Sequence, residues 1–166
     1  ESVLWAFKQL HDKGLIYEGF KVLAYCYRCE TPLSNHELRM DEDVYQNRQD
    51  QTVTVTFPIT EGKYAGVKIL AWTTTPWTLP TNFALAVGPE IEYAVINTAT
   101  GKYLLAKSLI PGHVKDLGFE DIDAALAAVE ETVLGKDLAG IKYERLFDYY
   151  ADESKFDVKN AWQVIV

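Results

Sequence analysis

Between Ala71 and Asn82 the chain reads Ala-Trp-Thr-Thr-Thr-Pro-Trp-Thr-Leu-Pro-Thr-Asn. Thr73, Thr74 and Thr75 stand together between Trp72 and Trp77, with prolines at 76 and 80. Threonine hydroxyls are weak bases, but packed beside proline they donate and accept in fixed directions. With exposed backbone N–H groups they can position a water and polarise a carbonyl oxygen. That arrangement suits hydrolysis in which orientation supplies most of the help. The prolines remove two backbone donors and bias Thr75 and Leu79 toward extended geometry. The competing account is a rigid, Thr-rich loop capped by tryptophans.

Cys26 and Cys29 form the second candidate, with the spacing that lets one tight turn offer two thiolates to a tetrahedral ion. A closed site needs four ligands, and no second Cys-x-x-Cys is present. Three readings stay open: half a zinc site completed by other sequence, two unmetallated thiols, or a redox pair. The last lacks a following helix that would lower a thiol pKa. His36 suits a loop or capping position better than a ligand position. No Gly-x-Ser-x-Gly, P-loop or Rossmann glycine pattern occurs. Glu130 and Glu131 fall in sequence that reads as an exposed helix.

These residues need elements to hold them. Val3, Leu4, Phe7, Leu10 and His11 recur at helical spacing, predicting a helix over 2–13 that stops at Gly14 and has an apolar face in want of a partner. Leu15 to Tyr25 leans toward strand, and residues 38–50 read as a solvated connector. Thr52 to Phe57 alternates strictly, with Val53, Val55 and Phe57 on one face and Pro58 as its end. Val67 to Trp72 is continuously apolar, as a central strand would be, and the threonine stretch hangs from its end. Further strands are expected over 83–87, 92–97 and 102–106, the last two joined by a turn at 97–101. Five short strands so spaced predict a barrel or a strongly curled sheet. Residues 106–117 have a helical pattern broken by Pro111-Gly112, and 121–131 reads as a helix. Extended or turn structure is expected over 132–147, a polar loop over 148–160, and a strand over 162–166.

The chain has 166 residues, 48% apolar and 13% aromatic, enough for one filled core with an appended segment. Its formal charge of −8 argues against a free-standing nucleic-acid binder, though not against a domain that sees only the end of a nucleic acid held elsewhere. No apolar run reaches membrane-spanning length. Two cysteines and no secretory signal predict a cytoplasmic, reducing setting. The ends of the sequence look like those of a piece of a longer polypeptide.

The stretch from Trp72 to Asn82 resembles the threonine-rich peptide of the isoleucyl-tRNA synthetases. Cys26-Tyr27-Arg28-Cys29-Glu30-Thr31-Pro32-Leu33-Ser34-Asn35-His36-Glu37 resembles the segment just before that family's editing insertion. The valine and leucine enzymes usually carry Thr-Thr-Arg-Pro here, whereas Thr75 and Trp77 favour the isoleucine enzyme. The likeness is strong from about residue 2 to 97 and looser to Val166.

This resemblance implies a mixed α/β fold: a β-barrel-like editing domain with peripheral helices, incomplete at its C-terminal end. Residues 1–48 would be an N-terminal helix with a zinc-knuckle-like connector, and 49–166 part of the editing domain. The parent would join isoleucine to tRNA(Ile) with ATP and hydrolyse mischarged valyl-tRNA(Ile), acting as a monomer. Thr73, Thr74 and Thr75 would line the editing pocket and orient water and ester. Trp72 would neighbour the terminal adenosine of the tRNA 3′ end, and Asn82 would add a polar contact. Cys26 and Cys29 would be two of four zinc ligands. The family's Gly-Thr-Gly-x-x-His segment, with its amino-group Asp, is not in this sequence. Neither are the His-x-Gly-His and Lys-Met-Ser-Lys-Ser signatures of the site that uses ATP and Mg2+. Weak or absent deacylation by the chain alone is therefore expected. The alternatives are a non-catalytic structural or binding module and a stand-alone aminoacyl-tRNA deacylase.

Overall fold

The structure is a computed structural model that describes residues 1–39 and 44–166. Residues 40–43 of the expected connector lie outside the described residues. The chain forms two compact units, 1–49 and 50–166.

In the first unit, helix α1 spans Ser2–Asp12. Lys8 reaches Asp12 one turn on, at 2.6 Å, and Gly14 takes the left-handed backbone that ends the helix. The apolar residues Val3, Leu4, Trp5, Phe7 and Leu10 are all exposed. The expected strand over 15–25 is confined to Tyr25: β1 is Tyr25–Cys26 and pairs antiparallel with β2, Thr31–Pro32. Among the described residues only the Ala24 carbonyl of this stretch meets the neighbouring strand, accepting the Leu33 N–H at 2.8 Å, so β-favouring side chains alone do not make a strand of 15–24.

The second unit contains β3 (Val53–Pro58), β4 (Lys68–Thr73), β5 (Ala84–Ala86), β6 (Glu92–Thr98) and β7 (Gly101–Ala106). Helix α2 (Ile122–Ala127), β8 (Val129–Leu134) and β9 (Gln163–Ile165) follow. Five strands join in the order β3-β4-β7-β6-β8. All pairings are antiparallel except β4 with β7. The mixed α/β class with peripheral helices is the one expected. Among the described residues the sheet is not closed into the expected barrel: β3 and β8 are its two edges and do not pair with each other. A second small sheet pairs β5 with β9 in parallel, Ala84 opposite Gln163.

The continuous apolar runs of β6 and β7 are explained by burial on both faces. Val95 and Leu104 pack with Phe57, Ile59, Ile69, Tyr143 and Val164, whereas Ala94, Ile96 and Leu105 pack with Ile110, Val114 and Ala125. Gly101, at φ 126°, makes the turn between the two strands possible.

The expected helix over 121–131 is split. Asp121 caps α2 by accepting the N–H of Ala124 at 2.7 Å, but the helix ends at Ala127. Val129 to Leu134 leaves the helix to pair with β6, because β-branched Val129, Thr132 and Val133 complete that sheet edge. The 106–117 pattern yields only a 3-10 turn, Lys107–Gly112, with Pro111 inside it. Among the described residues no helix is long and apolar enough to cross a membrane.

Candidate functional site

β4 carries the threonine stretch to the end of the sheet, where Thr73 still pairs with Val53. Thr75 leaves strand geometry at φ −124°, ψ 64°, and Pro76 opens a 3-10 turn over Pro76–Thr81. Proline suits that first position because its φ is preset and its missing N–H would be unpaired there. The sequence predicts extended backbone at Leu79, before Pro80, but Leu79 lies inside the turn. Its carbonyl accepts the Asn82 N–H at 3.0 Å, which closes the turn.

The hydroxyls brace this geometry. Thr73 Oγ1 accepts the backbone N–H of Thr75 at 3.0 Å and lies 3.3 Å from the Thr75 hydroxyl. Thr78 Oγ1 donates to the Thr75 carbonyl at 2.7 Å, and Thr81 Oγ1 to the Thr78 carbonyl at 2.9 Å. Thr75 and Thr78 hydroxyls are 3.5 Å apart. Thr74 alone of the five makes no side-chain hydrogen bond among the described residues, and it is exposed. Trp72 and Trp77 flank the turn, 58% and 74% exposed, too open to serve as core. The segment from 72 to 82 holds no ionisable side chain. It can orient and polarise, but it cannot take a proton as a base.

Asn82 is half-buried and fixed by both ends of its carboxamide. Nδ2 donates to the Ala84 carbonyl at 3.0 Å, and Oδ1 accepts from the Tyr143 hydroxyl at 2.8 Å. Burial pushes the Tyr143 phenol up to about 12, so it stays a neutral donor at neutral pH. Tyr143 is missed by sequence reading: it is 61 residues from Asn82, in a stretch expected only to be extended or turn. No local pattern could have found it.

Cys26 lies in β1 and Cys29 in the turn that follows. Glu30, at φ 56°, takes the left-handed conformation the turn needs, and the Cys29 N–H points to Cys26 Sγ at 3.4 Å. The Cys29 backbone N–H, then its thiol, then the Arg28 N–H hold the Cys26 thiol below its ordinary value. Bonding to Cys26 holds the Cys29 thiol above its own. This donor pair fits a soft divalent ion such as zinc in ligand type, and supplies two of the four positions a tetrahedral site requires. Among the described residues no group of three or more His, Cys, Asp and Glu side chains comes together. His36 lies in a turn bracketed by reciprocal bonds between Ser34 and Glu37, a capping-box pattern.

Glu130 and Glu131, expected on an exposed helix, stand on β8 instead. Glu131 accepts from Lys63 and, at 3.0 Å, from the Tyr64 hydroxyl, tying the turn after β3 to the sheet edge. Glu130 accepts from Asn97 at 3.0 Å and pairs with Lys102. Both have structural partners.

A strand that ends in a braced, hydroxyl-rich turn is matched by kinship over the whole chain. The family described as tRNA synthetases class I (I, L, M and V) matches residues 1–166, and the chain belongs to it. Its relatives within that class include several isoleucine enzymes. It is 56% identical to the isoleucine–tRNA ligase of Leifsonia xyli, across 100% of this chain and 17% of that protein. It is 53% identical to that of Tropheryma whipplei, across 92% of this chain and 15% of the relative. With the Mycobacterium tuberculosis isoleucine–tRNA ligase the identity is 48%, over 99% and 15% respectively. The chain thus spans about a sixth of the length of the curated relatives it matches.

Proposed function

We propose that residues 71–82 form one wall of a hydrolytic editing pocket in an isoleucine–tRNA ligase, and that its substrate is valine esterified to the 3′ end of tRNA(Ile). The observation that carries this reading is Thr74. Four threonines of the turn are committed to holding its shape, and the fifth, at the exposed crest, keeps its hydroxyl for something else. Kinship with the isoleucine enzymes supplies the chemical need. One methylene in a pocket is worth only about 1–3 kcal/mol, and isoleucine against valine is itself the established illustration of that limit. A second site that admits valine and excludes isoleucine restores accuracy. Thr74 would orient the attacking water against the ester, with Thr73 and Thr75 fixing the backbone that presents it. Trp72 would border the terminal adenosine.

The turn supplies orientation without a base or a carboxylate for the α-ammonium of the amino acid. The chain alone is accordingly a binding wall with little turnover. Cys26 and Cys29 would hold zinc in the parent with two further ligands, and ATP with Mg2+ would act only at the parent's synthetic site.

The mutual bracing of Thr73, Thr75 and Thr78 also supports the rival reading of a rigid loop without a ligand. Titrating the 15N-labelled chain with adenosine carrying valine in amide linkage at its 3′ position separates the two. The editing reading expects saturable shifts centred on Thr73–Thr75 and Asn82. A spectrum unchanged at those residues contradicts it.

A further inference from the structure

The support behind Asn82 comes from a part of the chain with no motif of its own. An Asn carboxamide offers two donors and two acceptor lone pairs, and a structure alone can leave its flip ambiguous. Here the flip is forced. The Ala84 carbonyl can only accept, so Nδ2 must face it, and the Tyr143 hydroxyl must then donate to Oδ1. Tyr143 is itself immobilised: it is 3% exposed, its ring meets Phe57 edge-on at 5.1 Å, and its N–H donates to the Trp162 carbonyl at 3.0 Å.

Trp162 braces the next residue along. Its N–H donates to the Phe83 carbonyl at 2.6 Å, and its ring meets the Arg145 guanidinium at 4.9 Å and stacks with the Phe83 ring at 6.0 Å. Trp162 does this from φ 54°, a left-handed backbone that a bulky residue adopts only when its surroundings hold it there. Asn82 and Phe83 are therefore clamped by two residues that both come from the 143–162 segment, and that are bonded to each other.

We propose that Tyr143 is a positioning residue for the threonine-turn site, seconded by Trp162. It holds the Asn82 carboxamide in one orientation and leaves a single N–H and one Oδ1 lone pair to face a ligand. Asn82 then presents a donor and an acceptor side by side, the pattern that reads a vicinal hydroxyl of a terminal ribose. This ligand assignment rests on the editing reading above, whereas the fixed orientation does not.

Hydrogen exchange of the Asn82 side-chain amide in the 15N-labelled chain tests the orientation without any ligand. In the wild-type chain the Asn82 Nδ2 proton bonded to the Ala84 carbonyl should exchange at least about tenfold more slowly than the side-chain amide protons of exposed Asn35 and Asn160, the ratio expected for one well-made hydrogen bond. Tyr143→Phe should remove most of that protection, whereas Phe57→Leu, which alters packing on the same ring but leaves the hydroxyl, should retain it. Exchange as fast as at Asn35, or equal loss in both variants, overturns the proposal. In the second arm, the 3′-valylamido adenosine should bind Tyr143→Phe about tenfold more weakly than wild type, and a 2′-deoxy version should lose that difference. Equal affinity of wild type and variant for the ribose form overturns the positioning role. No binding to wild type would count against the editing pocket, with exchange still deciding the orientation of Asn82.

Discussion

Thr73 Oγ1 accepts the backbone N–H of Thr75 at 3.0 Å, so the last residue of β4 holds the bend that leads into the turn. Replacing the hydroxyl strands a backbone donor. Thr73→Val keeps shape and β-branching but should cost about 1 kcal/mol, whereas Thr73→Ser should stay near wild type. Urea unfolding of the three proteins measures this. Equal stability of the valine and serine variants would show that this bond contributes nothing.

Thr74 predicts the opposite pattern. Its hydroxyl has no partner among the described residues, so Thr74→Val should change stability by less than about 0.5 kcal/mol. Affinity for a valylated adenosine should nevertheless fall. If Thr74→Val destabilises as Thr73→Val does, Thr74 belongs to the brace and not to the open wall.

The Lys63–Tyr64–Glu131 contact makes stability depend on pH. The hydrogen bond from Lys63 holds the Glu131 carboxyl below its ordinary 4.5, with the Tyr64 bond adding to it. A carboxyl depressed in the folded state stabilises fully above its unfolded value, and that gain is lost as pH falls through the folded one. Thermal unfolding between about pH 6 and pH 3 should therefore fall less steeply for Glu131→Gln than for wild type. Parallel curves would remove Glu131 from the acid limb. Lys63 works with the other sign: its ammonium is held above 10.5, first by the bond to Glu131, so its contribution fades only in strong base.

The Cys26–Cys29 turn should bind zinc weakly by itself. Two thiolates fill half of a tetrahedral shell, and the other half would come from water or added ligands. Metal analysis of the purified monomeric chain should give well under one equivalent after dialysis against a mild chelator. One tightly held zinc per monomer would mean that the chain closes the site unaided.

Local chemistry was readable wherever the residues that make a feature are neighbours. The alternation of Val53, Val55 and Phe57 became β3, and the apolar run into Trp72 became the interior strand β4. Thr73, Thr74 and Thr75 could be picked out as a unit, since their spacing after a strand is itself the signal. The division of labour among them could not, because it depends on where each χ1 points once the 3-10 turn has formed. Residues 129–131 read as the end of a helix for a similar reason: their preference for a strand is realised only when β6 offers an edge. Tyr143 and Trp162 were beyond reach altogether. Their roles exist only because the fold returns residues 143 and 162 to Asn82 and Phe83.

The most direct test of the central claim places this chain in a whole enzyme. Residues 1–166 would replace the matching segment of the Leifsonia xyli isoleucine–tRNA ligase, with and without Thr74→Val. Hydrolysis of valyl-tRNA(Ile) and charging with isoleucine would be measured side by side. The editing account predicts that Thr74→Val slows hydrolysis by about tenfold or more, the worth of one hydrogen bond made to the reacting group, while charging is retained. Unchanged hydrolysis, or an equal fall in both activities, would contradict it.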